Sequence, residues 1–392
     1  MSVLKAEKPA SKTVRIEKGV SIPKPERLLS LDVFRGITIA GMILVNNPGS
    51  WGSIYPALGH AKWHGVTPTD LIFPFFLFIV GVAITYSLSK RKERGDNQTK
   101  LILQIVKRSA ILFLLGLLLA GFPYYDLSHI RIPGVLQRIG VVYLFSSIIF
   151  LKTSIKTQAI VGGALLLVYW ALMTLIAVPG VGYPNLEPAT NLGAWIDNTL
   201  LHGHLWSLPK VWDPEGILST IPAISSALSG ILAGHWLRSK RNEMEKVAWM
   251  FVYGCIALVI AAFWDMWFPI NKSIWTSSYV IYSSGMALIF LAICYFLIDI
   301  KGITWWTKPF VVYGMNAITV FFVSGIMARL LTLIKWTDSA GQEITLRAFL
   351  YDNYFATWLA SINASLLWAI CYVLLWLGLM WILYAKKIFI KV

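Results

Sequence analysis

Charged residues are scarce in this 392-residue chain: they make up 14% of it, whereas hydrophobic residues make up 57%. Soluble globular domains average about 25% charged and roughly 45–50% apolar residues. One water-facing core of this length could not bury so many apolar side chains, which include 18 Trp, 16 Tyr and 20 Phe. The composition therefore excludes a soluble enzyme, a disordered chain and a disulfide scaffold, and it predicts a membrane protein.

Cysteines and acidic residues are also few. Cys255, Cys294 and Cys371 each lie in an apolar stretch, so we expect three buried thiols and no disulfide. Lys and Arg outnumber Asp and Glu by 34 to 19, but they stand in short runs between apolar stretches. That arrangement is typical of an orientation signal and argues against a nucleic-acid-binding surface. Residues 1–27 contain seven basic residues and no apolar core of signal-peptide length, which predicts a basic cytoplasmic tail.

Ten apolar segments are long enough to cross a bilayer as helices, since a crossing needs about 20 residues. The predicted fold class is an all-α polytopic integral membrane protein, with one transmembrane domain over residues 28–385 and a short tail over 386–392. The segments lie at 31–48, 69–89, 102–122, 134–151, 157–178, 215–237, 247–268, 277–298, 308–334 and 362–385.

The basic residues predict which end of these helices faces the cytoplasm. The two tails and alternate loops hold 23 Lys and Arg, whereas the opposite loops hold five, with Lys335 assigned to the end of its helix. Cytoplasmic loops carry the excess of positive charge, so both termini are expected inside. We therefore expect an integral membrane protein that is located in a bacterial inner membrane.

The outer loops are long and rich in aromatic side chains. They cover residues 49–68, 179–214 and 335–361, with a shorter one over 123–133. Their content of Trp, His, Gly and Pro is typical of ordered binding loops and not of solvated linkers. The chain has no internal repeat and no separate soluble domain, so its chemistry is expected to use the spanning helices and these loops.

Ionisable side chains within spans are costly and usually face a cavity or a partner, which makes them functional candidates. Lys107, Arg108 and His235 lie near inner helix ends, where long side chains can instead extend to the interface. The full set, with amides at similar depth, is Asp32, Arg35, Asp70, Lys107, Arg108, Arg138, Glu215, His235, Asp265, Arg329, Asn46, Asn47 and Asn316.

The densest group of polar residues is the segment from Asn46 to Asp70 between the first two helices. His60 can act as a general base near neutral pH, with Asp70 orienting its ring and Asn46 donating to an oxyanion. The alternative is that the loop histidines bond the backbone and Asp70 caps the second helix. A zinc site is disfavoured because the loop contains Gly and Pro, so no metal is expected.

The second group follows the large outer loop, in the run WDPEGILSTIPAI. Asp213 and Pro214 predict that Glu215 stands in the first turn of the sixth helix, where the helix dipole favours an acid. The functional alternative is recognition of a sugar by a carboxylate and stacked Trp212 or Trp206. Further along the same segment, Gly230 and Gly234 form a GxxxG step, which more often indicates close helix packing than a phosphate site.

Five blocks of the sequence carry a family resemblance that covers most of the chain. They are RLLSLDVFRGITIAGMILVNNPGSW, HAKWHGVTPTDLIFPFFLFIVG, RIPGVLQRIGVVYLF, WDPEGILSTIPAI and NKSIWTSSYV, in this order. These blocks resemble the heparan-alpha-glucosaminide N-acetyltransferase family, in its bacterial NagX-like branch. The resemblance implies a polytopic enzyme that takes acetyl from cytoplasmic acetyl-CoA and delivers it to the amine of a glucosamine-type sugar on the opposite side.

The resemblance also implies roles for single residues. The family's catalytic histidine matches His60 in HAKWHG, its aspartate matches Asp70, and its asparagine, in the Val-Asn block that ends the first helix, matches Asn46, with Asn47 as the alternative. The loop before His60 is about three residues longer than in the animal enzyme, which leaves that last choice open. The large luminal N-terminal domain of that enzyme is missing here, which puts a heparan substrate in doubt.

The remaining assignments are hypotheses for the two substrates. Arg138, Arg108, Lys107 and Asn316 are assigned to acetyl-CoA, since arginine pairs well with phosphate. Trp63, His64, Trp212 and Glu215 are assigned to the amino-sugar acceptor. The expected partners are the lipid bilayer, acetyl-CoA and the acceptor, without nucleic acid, and family analogy suggests a homodimer. The alternatives are a transporter of amino sugars or peptidoglycan fragments and an O-acyltransferase of a surface polysaccharide. Direct transfer and an acetyl-histidine intermediate both stay open.

Overall fold

The computed structural model of the protein describes residues 28–337 and 341–390, and these residues form thirteen α-helices and one two-stranded hairpin. The predicted tail over 1–27 lies outside the described residues. The helices are α1 (Leu29–Asn46), α2 (Ile72–Glu93), α3 (Gln98–Gly121), α4 (Val135–Lys152), α5 (Ile155–Leu175), α6 (Leu192–Leu200), α7 (Thr220–Leu237), α8 (Glu243–Asp265), α9 (Ser277–Cys294), α10 (Lys308–Met315), α11 (Ala317–Leu333), α12 (Leu346–Tyr354) and α13 (Ser361–Ala385). The hairpin pairs β1 (Lys335–Thr337) with β2 (Glu343–Thr345) in antiparallel fashion.

The helix lengths and compositions confirm an all-α polytopic membrane protein. Within the described residues, eight helices are long and apolar enough to cross a membrane, and α10 with α11 adds a ninth crossing if counted as one. The remaining predicted span, the sixth in order at 215–237, is helical only from Thr220, as α7. Its polar Ser and Thr content is tolerated because α7 packs among α2, α4, α5 and α9 and is largely buried. A helix shielded from lipid needs less apolar side chain.

The span predicted over 308–334 is broken. Helices α10 and α11 meet at an angle of 81°. Asn316 stands at the break, fully buried, where its Nδ2 donates to the Ile388 carbonyl (3.1 Å) and its Oδ1 accepts from the Ile390 amide (2.9 Å). Backbone that leaves a helix inside a membrane needs such partners. The prediction of one continuous helix was therefore wrong at this point.

Three glycine contacts hold α2 against α7. A Cβ added at Gly230 would overlap the Phe78 carbonyl oxygen, and one added at Gly81 would overlap the Ala227 carbonyl. Gly234 faces the Thr85 side chain in the same way. The close-packing interpretation of the GxxxG step is thus confirmed, because only glycine lets the two backbones approach so closely.

Gly230→Ala is expected to destabilise the bundle by about 1–3 kcal/mol, because the added methyl overpacks a backbone contact. The matched control is Gly163→Ala in α5, where a new Cβ meets no atom within 4 Å. There the substitution should be neutral or stabilising, since alanine favours a helix by up to about 1 kcal/mol over glycine. The melting temperatures of both variants in detergent test the contrast. Equal values would mean that the glycine contact contributes nothing.

Cys255, Cys294 and Cys371 are all free thiols. Cys294 is buried as predicted, but Cys255 and Cys371 are exposed on the surface of the bundle. The prediction of three buried thiols was wrong for these two, because an apolar stretch in a membrane protein also supplies the side chains that face lipid.

Two cavities enter the bundle from opposite ends. Asp32 and Arg35, near the start of α1, line one cavity together with Phe389 and Ile390. Asn46 and Asn47, at the end of α1, line the other. We call these the inner and the outer cavity, and the ends of the bundle accordingly the inner and outer ends.

Candidate functional site

His60 and Asp70 form a pair at the outer end. The Nδ1 atom of His60 lies 2.6 Å from the Asp70 Oδ1 atom. Asp70 is only 1% exposed, whereas the His60 side chain is 48% exposed. The second carboxylate oxygen of Asp70 accepts hydrogen bonds from the backbone amides of Ala61 (3.1 Å) and Thr67 (3.0 Å). The carboxylate is therefore fixed in place beneath a histidine that reaches solvent.

The geometry of this pair determines which ring nitrogen of His60 carries the proton in the neutral imidazole. An ionised carboxylate only accepts hydrogen bonds, so the Nδ1 atom of His60 carries the proton and Nε2 keeps its lone pair. Histidine held in this way can act as a base or a nucleophile. Asp70 also stands third in the short helical turn Pro68–Leu71, where it accepts from the amide of Thr67, the N-cap residue of that turn. Helix α2 begins after this turn, with Leu71 as its N-cap residue, so the interpretation of Asp70 as the cap of the second helix was wrong.

The outer cavity has a volume of about 680 Å³, and both Asn46 and Asn47 line it. The Asn47 Nδ2 atom donates to the Ile43 carbonyl (2.8 Å) at the end of α1, which occupies its amide. Asn46 is exposed and lines the cavity, and none of the hydrogen bonds between described residues uses its side chain. Asn46 is thus the better candidate of the two. His60 and Asp70 are not among the lining residues, so the structure joins His60 to Asp70 but does not bring Asn46 into contact with either.

A buried ion cluster lies next to this cavity. The Arg131 guanidinium bonds both oxygens of Asp213, at 2.8 and 2.6 Å, and Glu215 Oε2 at 2.6 Å. Helix α7 starts at Thr220, so the expectation that Glu215 stands in its first turn was wrong. Glu215 lies in the turn before the helix, where Arg131, and not the helix dipole, compensates its charge.

The pKa values in this cluster follow burial and charge. Burial alone would lower the pKa of Arg131, but its bonds to the two carboxylates raise it. Burial alone would raise the pKa of Glu215, but the charges of Arg131, Lys272 and Arg138 hold it below its ordinary value. The pKa of Asp213 is raised because burial and the Glu215 charge outweigh Arg131. The single positive charge of Arg131 is thus shared between two buried carboxyl groups.

Three of the four residues predicted to bind the acceptor lie together in the outer loops. The rings of Trp63 and Trp212 meet edge to face at 5.2 Å, and Trp63 Nε1 donates to the Leu186 carbonyl (2.9 Å). His64 adjoins Trp63 and lies 3.3 Å from the Asn271 amide nitrogen. The fourth residue, Glu215, is buried in the ion cluster. Aromatic faces of this kind suit a sugar, but here their contacts also join three separate loops.

The inner cavity has a volume of about 490 Å³ and carries two arginines. The Arg108 guanidinium lies 4.9 Å from the centre of the Tyr143 ring, and Arg35 pairs with Asp32 at 3.1 Å. Lys107 is exposed on the same helix as Arg108 and does not line the cavity. Of the four residues predicted to bind acetyl-CoA, Arg108 alone lines this cavity.

Arg138 and Asn316 have structural partners elsewhere. Arg138 is 2% exposed near the outer end of α4, where it donates to the Gly216 carbonyl (3.0 Å) and to the Ser219 hydroxyl. Its guanidinium lies over the Trp275 ring, 5.1 Å from the ring centre. Asn316 uses both ends of its amide to hold residues 388 and 390. Both residues therefore contribute to the framework around the cavities.

Sequence reasoning gave no role to several cavity residues. Arg35 and Arg329 were functional candidates as charges within spans, but neither had a predicted role. Arg131 and Gln137 were not predicted to be functional. The acids Asp213 and Glu215 in one buried turn were the available signal for Arg131, because two such charges need a cation nearby. Within residues 28–337 and 341–390, no group of three His, Cys, Asp or Glu side chains is placed to hold a metal ion.

A family profile and two known proteins that match this chain all carry the same family description. The family profile described as "Heparan-alpha-glucosaminide N-acetyltransferase, catalytic" matches residues 27–262. The human protein named heparan-alpha-glucosaminide N-acetyltransferase (Homo sapiens) is 31% identical over 94% of this chain, and the mouse protein of that name (Mus musculus) is 31% identical over 93%. The chain spans 60% of the length of each of these relatives.

Proposed function

Since this chain belongs to the heparan-alpha-glucosaminide N-acetyltransferase family, whose catalytic profile matches well over half of it, we propose that it is a transmembrane acetyltransferase. Its donor is acetyl-CoA from the cytoplasm, and its acceptor is the amine of a glucosamine-type sugar on the opposite side. The observation that carries the proposal is the His60–Asp70 pair at the outer end, which supplies an oriented base where such an acceptor arrives. The membrane is proposed to be a bacterial inner membrane.

The proposed reaction is a simple acyl transfer. The sugar amine attacks the thioester carbonyl carbon, a C–N bond forms, and the C–S bond breaks to release CoA. His60 Nε2 takes the proton that the amine loses, and that proton leaves with the CoA sulfur as the thiol. Asp70 stabilises the imidazolium while the proton is held, because its carboxylate lies 2.6 Å from Nδ1. Asn46 is our candidate donor to the oxyanion of the tetrahedral intermediate.

The two cavities suggest how donor and acceptor meet. The inner cavity reaches Leu112 on α3 and Ile139 on α4, and the outer cavity begins at Gly116 and Leu136, about one turn further along the same helices. A layer about one helical turn thick therefore separates the two cavities. Arg35 and Arg108 are placed to bind the phosphates of CoA at the inner end. The thioester end of the donor would then point towards the layer between the cavities.

The test is acetyl transfer by the purified protein from labelled acetyl-CoA to glucosamine. We expect labelled N-acetylglucosamine that survives hydroxylamine, which cleaves an O-acetyl ester but not an amide. In sealed vesicles, product should form only when donor and acceptor are on opposite sides of the membrane. Absence of donor binding would contradict the proposal, and a hydroxylamine-labile product would favour the O-acyltransferase alternative.

The broken span supports one rival function. Discontinuous helices between cavities of opposite access are common in transporters, and α10 and α11 are bent by 81°. A transporter would carry labelled glucosamine into vesicles without acetyl-CoA and without modifying it. Uptake of unmodified sugar in that assay would favour the transporter function over the acetyltransferase.

A further inference from the structure

Two arginines, Arg131 and Arg329, line the outer cavity, and among the described residues that line it none is Asp or Glu. His129 also lines it, and its Nδ1 atom lies 2.9 Å from the carboxylate of exposed Asp126. The acids that neutralise Arg131 lie behind the cavity wall, in the turn before α7. The cavity therefore offers positive charge to whatever enters it.

Arg329 has no acidic partner among the described residues. Its Nη1 atom donates to the Gly325 carbonyl of its own helix at 3.2 Å, and no carboxylate of residues 28–337 or 341–390 comes within 4 Å. An arginine inside a spanning helix costs free energy unless it meets a counter-charge or water. Its position on the cavity wall is where a counter-charge on a bound molecule could reach it.

Gln137 adds an unused donor at the same cavity. It is 4% exposed, it lines the outer cavity, and its Nε2 atom makes no hydrogen bond. Buried amide groups are almost always bonded, so this nitrogen lacks a partner that a bound ligand can supply. Trp51 and Trp206, which also line the cavity, provide the flat apolar faces that sugar rings stack on.

We infer that the outer cavity binds an amino sugar that carries an acidic group, with Arg329 as the counter-charge and Gln137 as a hydrogen-bond donor. This rests on the proposed function only in taking the ligand to be an amino sugar. The acidic group is a carboxylate or a phosphate, because a guanidinium binds both through paired hydrogen bonds. An acidic acceptor would therefore be preferred over glucosamine itself.

The preference is measurable by binding alone. Titration calorimetry of the purified protein with glucosamine, glucosamine 6-phosphate and muramic acid needs no turnover. We expect the two acidic sugars to bind about 10- to 100-fold more tightly, as a charged hydrogen bond implies. Arg329→Gln should remove most of this difference, Arg329→Lys should restore part of it, and Gln137→Leu should weaken the acidic ligands. Equal affinities in the wild type, or an unchanged preference in a folded Arg329→Gln protein, would overturn the inference.

A second arm separates the acceptor from the donor as the source of the anion. If Arg329 held the phosphates of CoA instead, Arg329→Gln would weaken acetyl-CoA but not acetyl-pantetheine, and the sugar preference would persist, which would also overturn the inference. Selective binding of acidic sugars that are never acetylated would contradict the acetyltransferase proposal and leave this site standing. The two proposals therefore fail in different experiments.

Discussion

His60→Ala is expected to lower the rate of acetyl transfer by about 10²- to 10⁴-fold, which is what a general base contributes. Acetyl-CoA binding should be unchanged, since His60 lies at the outer end and does not line the inner cavity. The measurements are the turnover number with saturating glucosamine and the Kd of acetyl-CoA. Loss of turnover with the donor still bound would place His60 in the chemical step.

Two further variants sharpen this test. Asp70→Asn removes the ionised acceptor that sets the His60 tautomer, so it should also lose activity while the loop keeps most of its bonds. The matched control is His202→Ala, an exposed outer-loop histidine whose Nδ1 atom contacts Asn198, and it should keep wild-type activity. A His60→Ala protein within threefold of the wild-type rate would remove His60 from the mechanism. Acetyl trapped on His60 without acceptor would replace direct transfer by the covalent route.

Arg131→Met is expected to destabilise the folded protein by about 3–5 kcal/mol, the usual cost of leaving buried charges without their partner. Asp213 and Glu215 are 0% and 5% exposed, and both bond the Arg131 guanidinium. Methionine keeps much of the side-chain volume but none of the charge. The melting temperature at pH 7.5 should fall sharply relative to the wild type.

The pH dependence distinguishes a charge effect from lost packing. Arg131 holds the pKa of Glu215 below its ordinary value. In the wild type, the stability that this charge interaction contributes is therefore present at a pH above the ordinary pKa, and it is lost as the pH falls through the lower pKa of folded Glu215. Without Arg131, burial would raise both acid pKa values, so the variant should lose stability as the pH rises. The deficit should therefore be smaller at pH 5 than at pH 7.5.

The control for Arg131 is Arg241→Met. Arg241 pairs with Glu245 at 3.0 Å, but the Arg241 side chain is 61% exposed. Solvent screens such a pair, so the loss should be at most about 1 kcal/mol and nearly independent of pH between 5 and 7.5. A deficit for Arg131→Met that is equally small, or that is the same at both pH values, would show that the buried cluster does not stabilise the fold through charge.

The sequence predicted features that depend on local pattern. Apolar segments located the spanning helices, because lipid imposes length and composition on each helix separately. The GxxxG step in α7 predicted a close contact, since small side chains at this spacing lie on one helix face. The partnership of His60 and Asp70 was expected from their chemistry and from the family resemblance, and the structure brings the two side chains together.

Features that depend on distant partners could not be predicted. The break at Asn316 is stabilised by residues more than seventy positions later, which no local window covers. Arg138 was assigned to a phosphate because it is basic and lies within a span, but its partners are in the turn before α7. The start of α7 was misplaced for the same reason, since Arg131, 84 positions before Glu215, holds that turn in place.

The break between α10 and α11 also bears on the order in which the chain can fold during its synthesis. Asn316 is made well before residues 388–390, which supply both hydrogen bonds of its amide. Phe389 and Ile390 also line the inner cavity. A nascent chain with every span already inserted would thus still lack this part of the cavity lining and the partners of a buried amide. The cavity that we assign to the donor therefore gains this part of its lining only after α13 has been made.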